Sequence, residues 1–204
     1  MRLNRISLVL ATVIFAGVLH AGFIPVTPGA SPDDSMGMDI RESYQEIEIN
    51  IKTQGINFSE IETEQGVFKN LSLKNAGWTG EPGHPRMPFK GVYVEIPPGV
   101  DIHVSVTGES EDLPGTVTIM PHQPPLPDCS DRGEAPEFAF DPAAYISGKP
   151  VPGETVRIAE DGFMRGHRVL FLEIFPMQYV PATGVVSIIP DMTVTVSWNQ
   201  TPPR

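Results

Sequence analysis

The chain has 204 residues, and its 25 Asp and Glu against 14 Lys and Arg give a formal net charge of −11. A charge of this sign excludes a nucleic-acid binder that is held by a general basic field. The length predicts one domain, with or without tails, and 22 Pro and 19 Gly favour strands and turns over long helices. A single cysteine excludes an internal disulfide and a dithiol or zinc-ribbon site.

The first 21 residues have the layout of a secretory signal peptide. Arg2 and Arg5 precede an uncharged apolar run, residues 6–19, that is shorter than the roughly 20 residues needed to cross a bilayer. Small residues follow the run, so we expect cleavage after Ala21 and export without a permanent membrane anchor. An uncleaved anchor is the alternative.

Residues 22–43 predict a flexible leader. Pro, Gly, Ser, Asp and Met occur there without periodicity, and such a segment buries too little apolar area to offset the entropy of ordering. Order is expected from Tyr44, because Ile47, Ile49 and Ile51 then alternate with polar residues. The sequence therefore predicts one domain over residues 44–200, with residues 201–204 as a C-terminal tail.

Short alternating segments separated by turn residues continue through this domain. They predict an all-β fold, an antiparallel β-sandwich similar to a jelly roll. A Pro-rich connection, residues 121–152, interrupts the strands, and a loop of this length is typical of a functional or disordered segment. The further predicted strands are residues 56–63, 66–73, 91–96, 101–107, 116–120, 155–159, 168–175, 185–189 and 192–198.

No catalytic or metal-binding pattern is evident. Cys129 lies between Asp128 and Asp131, whose charges disfavour the thiolate that a cysteine nucleophile requires. The histidines beyond the signal peptide are scattered and form no His-x-x-x-His pair; they are His84, His103, His122 and His167. We therefore expect a chain that is not itself an enzyme and that needs no cofactor or metal.

The most specific sequence feature lies in the last third of the chain. Met164-Arg165-Gly166 is followed by an apolar run that ends in Pro-Met-Gln-Tyr-Val-Pro at residue 181, and then by Thr183-Gly184. This pattern resembles the propeptide domain of the gingipain family of secreted cysteine peptidases, peptidase family C25. Weaker similarity at residues 80–88, 92–98, 121–124 and 138–154 extends the resemblance over residues 56–198.

The residues that carry the resemblance also have a structural interpretation. Gly166 permits a backbone conformation closed to other residues, and prolines at 176 and 181 end a strand and begin a turn. The Tyr179 hydroxyl can tie that turn to a neighbouring strand. We therefore expect structural roles for the motif residues, which are Arg165, Gly166, Pro176, Gln178, Tyr179, Pro181 and Gly184.

The resemblance implies a secreted β-sandwich that acts as an intramolecular chaperone and a latency-conferring inhibitor. Its implied partner is a caspase-like cysteine peptidase catalytic domain that cleaves after Arg or Lys, in cis in a precursor or otherwise in trans. Family members continue into that domain where this sequence stops at Arg204, so we expect either an excised fragment or a freestanding prodomain-like protein. A noncatalytic secreted or surface β-module, used for adhesion or as a spacer, is the alternative.

An inhibitor of such a peptidase requires an exposed basic residue. A pocket specific for Arg or Lys holds a carboxylate, which a guanidinium or ammonium can pair with. The long connection offers two candidates, Arg132 and Lys149. Arg132 is preferred because it lies beside Gly133 in the polar part of the loop, whereas Lys149 precedes a proline and abuts the next strand. A solvated loop arginine without a role is the alternative.

Overall fold

A computed structural model describes residues 18–125 and 137–199. These residues form fourteen strands, all paired antiparallel, and two 3₁₀ turns, Pro32–Asp34 and Ala144–Ile146, which confirms the predicted all-β class. The strands are β1 (Val18–Pro25), β2 (Met36–Ser43), β3 (Glu46–Thr53), β4 (Gly55–Thr63), β5 (Gly66–Ser72), β6 (Gly77–Thr79), β7 (Met87–Ile96), β8 (Asp101–Thr107), β9 (Glu111–Asp112), β10 (Val156–Met164), β11 (His167–Ile174), β12 (Met177–Val180), β13 (Val185–Ile188) and β14 (Asp191–Asn199).

Two four-stranded sheets form the body of the sandwich, with strand orders β2-β3-β14-β8 and β10-β11-β7-β6. Alternate side chains of β3, β14, β7 and β11 point inward and belong to one buried cluster. Burial of each large aliphatic member, such as Ile49, Val194 or Leu172, stabilises the fold by about 1.5–3 kcal/mol. The period-two pattern of the sequence thus becomes the interior of the sandwich.

Two three-stranded sheets, β1-β4-β5 and β12-β13-β9, complete the fold. The strand predicted at residues 116–120 is reduced to an isolated parallel bridge between Lys69 of β5 and Ile119. Prolines at 114 and 121 bound this segment, and a proline has no N–H with which to extend a ladder. The segment therefore lies along β5 without becoming a regular strand.

The structure differs from the flexible leader predicted for residues 22–43, because this segment contributes to β1, a 3₁₀ turn and β2. Strand β2 pairs with β3 along its whole length. Ser35 is fully buried, its carbonyl accepts hydrogen bonds from the Gln54 and Gly55 N–H groups, and its Oγ accepts one from the Lys74 N–H. The hydrogen bonds between β2 and β3, together with these contacts of Ser35, offset the conformational entropy that the segment loses on ordering. Its composition alone does not reveal these contacts.

The N-terminal prediction falls partly outside the described residues. Residues 1–17 lie outside them, and the cleavage site predicted after Ala21 lies within β1, where Ala21 pairs with Ser59 of β4. Over residues 18–125 and 137–199 the fold contains no helix with the length and apolar character that a membrane crossing requires.

The sandwich has two ends, which we call the loop end and the turn end. Strand β7 runs from Met87 at the loop end to Ile96 at the turn end, and ten extended residues span roughly 30 Å. Arg168 of β11 pairs with Ile96, so the β10–β11 turn, with Arg165 and Gly166 at positive φ (52° and 89°), lies at the turn end. The long Pro-rich connection begins beside the residues that lead into β7, at the loop end.

Candidate functional site

The fold holds the long connection at both of its arms. We call residues 118–125 the outgoing arm, residues 137–141 the returning arm, and the two arms together the stem. The Lys69 N–H donates to the Thr118 carbonyl (2.7 Å), and the Met120 N–H donates to the Lys69 carbonyl (2.9 Å). From the other side, the Arg86 N–H donates to the Met120 carbonyl (3.0 Å). The outgoing arm is therefore fixed between β5 and the segment that precedes β7.

A single glutamine joins the two arms of the stem. The side-chain amide nitrogen of Gln123 donates to the Ala139 carbonyl (2.9 Å) and to the Pro121 carbonyl (3.1 Å), and its Oε1 accepts a hydrogen bond from the Ala139 N–H (2.9 Å). Gln123 thus substitutes for a backbone pairing between the arms. The two ends of the described chain that flank residues 126–136 are held side by side by this clamp.

Aromatic rings attach the returning arm to the sandwich. Phe68 of β5 is 2 % exposed, and its ring centroid lies 5.9 Å from that of Phe138, 5.6 Å from that of Phe140 and 6.1 Å from that of Tyr145. Phe140 and Tyr145 also contact each other, at 4.9 Å. Pairs at these distances add about 0.5–1.5 kcal/mol each beyond the buried area, so this cluster anchors residues 138–145.

The Tyr145 hydroxyl adds a polar tie to the same cluster. It donates to the Ile119 carbonyl on the outgoing arm (2.7 Å). Burial raises the pKa of Tyr145 well above its ordinary value, and the neighbouring Tyr179 adds to this while Arg86 opposes it. The hydroxyl therefore remains protonated, and a donor, throughout the neutral and mildly alkaline range.

A glycine allows the returning arm to approach the backbone that leads into β7. Gly83 has φ of 85°, its N–H donates to the His122 carbonyl (2.9 Å), and its carbonyl accepts from the Asp141 N–H (3.1 Å). A Cβ at residue 83 would lie 3.0 Å from the Asp141 nitrogen. The His84 Nε2 lies 3.4 Å from an Asp141 carboxylate oxygen. Backbone and side-chain contacts of Asp141 therefore both hold the returning arm against residues 83 and 84.

The two predicted inhibitory residues are placed differently. Arg132 lies outside the described residues, as does Cys129. Lys149 is exposed on the segment that leads to β10, and its N–H donates to Ser147 Oγ (3.2 Å). No described carboxylate lies within 4.0 Å of the Lys149 ammonium.

Most of the motif residues lie where the connection rejoins the sandwich. The Gln178 amide donates to the Pro152 carbonyl (2.9 Å), and the Tyr179 N–H donates to the Val151 carbonyl (2.8 Å). The fully buried Tyr179 ring sends its hydroxyl to the Val117 carbonyl (3.1 Å). These contacts join both flanks of the connection, near residues 117 and 151, to strand β12.

The remaining motif residues form corners. The Pro176 carbonyl accepts a hydrogen bond from the Ile189 N–H (2.8 Å), and Pro181 is buried after β12. Gly184, at φ of 72°, accepts from the Val117 N–H (2.8 Å). Arg165 and Gly166 lie apart from all of these at the turn end, so the motif that is continuous in sequence is divided between the two ends of the domain.

Sequence reasoning did not find the residues that build the stem. Phe68 lies in the predicted strand at residues 66–73, but Asn70 and Ser72 share its face, so no alternation marks it as a core residue, and its aromatic partners on the connection are more than 60 residues away in the chain. Gln123 lies among prolines without any periodic signal. Within the described parts of the chain, no group of three His, Cys, Asp or Glu side chains is placed to hold a metal ion.

The family model Propeptide_C25 matches residues 29–204. Two curated relatives from Porphyromonas gingivalis, Lys-gingipain HG66 and Lys-gingipain W83, are 28 % and 27 % identical to this chain over 162 residues. The aligned region makes up 77 % of this chain and 9 % of each relative, so the chain spans about a tenth of the length of these proteins.

Two solved structures share the fold. One, from a study of the zymogenic latency of gingipain K from Porphyromonas gingivalis, has a TM-score of 0.73 and 24 % identity, covering 89 % of this chain and 100 % of that chain. The other, the complex of the pro- and mature domains of RgpB from the same organism, has a TM-score of 0.70 and 18 % identity, covering 82 % and 86 %. Because the family match spans most of its length, the chain belongs to the C25 propeptide family, the prodomains of cysteine peptidase precursors rather than their catalytic units.

Proposed function

We propose that this domain is the intramolecular chaperone and latency-conferring inhibitor of a C25-type cysteine peptidase. Its partner is the catalytic domain, in cis where both belong to one precursor and in trans otherwise. The observation that carries the proposal is the clamped stem, which fixes both ends of the segment that contains Arg132. The similar structures, a gingipain K zymogen and an RgpB pro- and mature-domain complex, are consistent with this role.

Arg132 is the residue that we propose for the specificity pocket of the peptidase. It is nine residues from Gln123 and seven from Ala139, and an arm of seven extended residues reaches at most about 25 Å. The segment between the clamped positions is therefore long enough to carry a side chain deep into a cleft. A guanidinium there would form a paired, charge-assisted contact with the pocket carboxylate.

Lys149 is the second candidate, and its surroundings make it the weaker one. Two residues later, Val151 exchanges two hydrogen bonds with Tyr179 (2.7 and 2.8 Å), which holds this part of the chain against β12. The backbone at Lys149 is therefore held close to the sandwich, which limits how far its side chain can enter a cleft. Its exposed ammonium remains suitable for a contact at the rim of a cleft.

Inhibition assays with the purified domain test these assignments. Arg-specific and Lys-specific C25 peptidases would be titrated with the native domain and with Arg132→Ala and Lys149→Ala. Loss of one partner of a buried charge pair costs about 2–5 kcal/mol, so Arg132→Ala is expected to weaken inhibition by at least about 30-fold, while Lys149→Ala changes it little. Equal inhibition by all three proteins would leave only steric coverage, and no inhibition by the native domain would contradict the proposed function.

The chaperone role is tested separately. A catalytic domain produced without its prodomain would be denatured and refolded with and without this domain. Recovery of active peptidase is expected to increase when the domain is present during refolding and to stay low when it is added afterwards. Equal recovery under all conditions would remove the chaperone role without affecting inhibition.

Export is the remaining part of the proposal. Arg2, Arg5 and the apolar run that follows support a signal peptide that is cleaved after Ala21. N-terminal sequencing of the protein recovered from an exporting host is expected to begin at Gly22. Recovery of the uncut chain in the membrane fraction would support an anchor instead.

A further inference from the structure

Most described basic side chains are paired with carboxylates of the same domain. Four are not within 4.0 Å of a described carboxylate, namely Arg86, Lys90, Lys149 and Arg165. Lys90 donates to the Asn75 carbonyl (3.1 Å), and Lys149 and Arg165 are exposed to solvent. Arg86 and Lys90 are both half-buried, but the Lys90 ammonium reaches a backbone carbonyl, whereas the two terminal nitrogens of Arg86 have no described acceptor. The paired residues are Arg41, Lys52, Lys69, Lys74, Arg157 and Arg168.

The Arg86 guanidinium is held in position from two sides. Its Nε donates to the Asn70 side-chain carbonyl (3.0 Å), and its central carbon lies 5.1 Å from the Trp78 ring centre. The Trp78 ring is itself fixed, because its Nε1–H donates to the Leu71 carbonyl (2.7 Å). No described residue accepts a hydrogen bond from either terminal nitrogen of Arg86, and the side chain is only half-buried. An oriented guanidinium therefore presents two free donors.

A half-buried guanidinium without an anionic partner is energetically unfavourable in a domain that functions alone. Burial lowers the pKa of Arg86, an effect only partly offset by Tyr145, because the charged guanidinium has lost water without gaining an anion from the described part of the chain. Arginine and tryptophan are both enriched among the residues that dominate binding at protein interfaces, and an arginine stacks well on an aromatic face. Among the described residues Arg86 therefore has no anionic partner, and its guanidinium is available to an anion from another protein.

The position of Arg86 identifies the source of that anion. Its backbone N–H bonds the Met120 carbonyl of the stem, so the side chain lies at the foot of the loop. Trp78, 40 % exposed, adds apolar surface at the same place. A protein that closes around the loop also covers Arg86, and since this chain carries a net charge of −11, an acidic contact on the partner requires a local positive group.

We propose that Arg86, stacked on Trp78, is a docking point that receives an Asp or Glu carboxylate from the peptidase domain at the foot of the loop. The proposal rests on the proposed function, because the occupant is the catalytic domain. The two free nitrogens form a fork that matches a carboxylate with two parallel hydrogen bonds, which a lysine ammonium cannot reproduce. The contact sets the register in which the loop enters the cleft.

The test compares inhibition by three variants with that by the native domain. Arg86→Gln is expected to weaken inhibition of the mature peptidase at least about 30-fold and to make it less sensitive to ionic strength. Arg86→Lys keeps the charge but loses the fork, and a loss of about 10-fold is expected. Arg165→Gln removes an equally unpaired arginine at the turn end and should change inhibition less than twofold. Thermal unfolding of each variant shows whether the domain still folds.

The outcomes separate the two proposals. If the native domain inhibits and Arg86→Gln inhibits equally well, the docking point is wrong and the proposed function stands. If the native domain neither binds nor inhibits the peptidase, both are wrong. Should Arg86→Gln fail to fold, Arg86→Lys decides: a loss of about 10-fold at an unchanged melting temperature supports the docking point, and undiminished inhibition overturns it.

Discussion

The loop end and the turn end of the sandwich are stabilised in different ways. At the loop end, irregular backbone is held by side chains from distant parts of the sequence, above all Gln123 and Phe68. At the turn end, a tight turn with Arg165 and Gly166 at positive φ joins two strands, while Phe163 and Met164 remain 69 % and 57 % exposed. Order at the loop end therefore depends on tertiary contacts, and order at the turn end on local backbone geometry.

The largest expected effect at the loop end comes from Phe68→Ala. This change removes the ring that packs against three other aromatic side chains, and truncation of a buried phenylalanine costs about 3–5 kcal/mol. Urea unfolding should show a free energy of unfolding lower by this amount, together with weaker inhibition. Phe163→Ala at the turn end is the matched control and should change stability by less than about 0.5 kcal/mol. Equal losses for the two variants would contradict the comparison.

Gln123→Ala is expected to have the next largest effect. It removes the clamp and leaves the Ala139 N–H and two carbonyls without their partners, at a cost of about 1–3 kcal/mol. Amide hydrogen exchange at Ala139 should become faster while exchange in β14 is unchanged. Gln178→Ala, which loses one hydrogen bond to the Pro152 carbonyl, serves as the control. Unchanged protection of Ala139 would mean that the clamp does not hold the arms.

Tyr145→Phe tests one hydrogen bond at the loop end, because it removes only the hydroxyl oxygen. The ring stays in the aromatic cluster, but the Ile119 carbonyl loses its donor, so the free energy of unfolding should fall by about 0.5–1.5 kcal/mol. Tyr93→Phe, at an exposed tyrosine that stacks on Phe171, should leave stability unchanged in the same denaturation experiment. A larger effect at Tyr93 than at Tyr145 would refute the assignment.

The smallest expected effect concerns pH and the turn end. Arg168 donates two hydrogen bonds to Asp161 (2.9 and 2.7 Å), and these lower the pKa of the Asp161 carboxyl, against a smaller opposing effect of desolvation. A carboxyl with a lowered folded-state pKa stabilises the fold above its unfolded-state pKa of about 3.9, and this contribution disappears as pH falls through the folded-state value.

Asp161→Asn should therefore lower the melting temperature slightly at pH 7, and the difference from the native protein should vanish in strong acid. Asp39→Asn is the control, because the pair of Asp39 with Arg41 is exposed and such pairs contribute little. A difference for Asp161→Asn that persists at low pH would show that the carboxylate charge is not its cause.

The interior of the sandwich can be predicted from the sequence, because the alternation of apolar and polar residues within each strand determines which side chains are buried. Strands β3, β8 and β14 alternate apolar and polar residues, and the alternation alone fixes which face is buried. The leader prediction missed the short alternation of Met36, Met38 and Ile40 in β2, and because Met38 and Ile40 remain exposed, that alternation does not mark a buried face. The order of β2 depends on pairing with β3, which no property of the segment itself reveals.

The stem could not be predicted for a related reason. Gln123 bonds to residues within its own loop, and Tyr145 bonds across the connection to Ile119. Neither contact leaves a periodic trace in the sequence. The motif residues Gln178 and Tyr179 were recognisable as a group, but their contacts with Pro152 and Val117 became visible only in the fold.

The Gln123 clamp has a consequence for the size of an effective inhibitor. It closes the chain around the fifteen intervening residues, 124–138, and closing a chain segment of this length costs about 2.4 kcal/mol of chain entropy beyond a constant term. In the folded domain this cost is met during folding, before any peptidase is bound. A linear peptide of residues 123–139 would incur it on binding, and should therefore inhibit about 50-fold less well than the whole domain even if both made the same contacts.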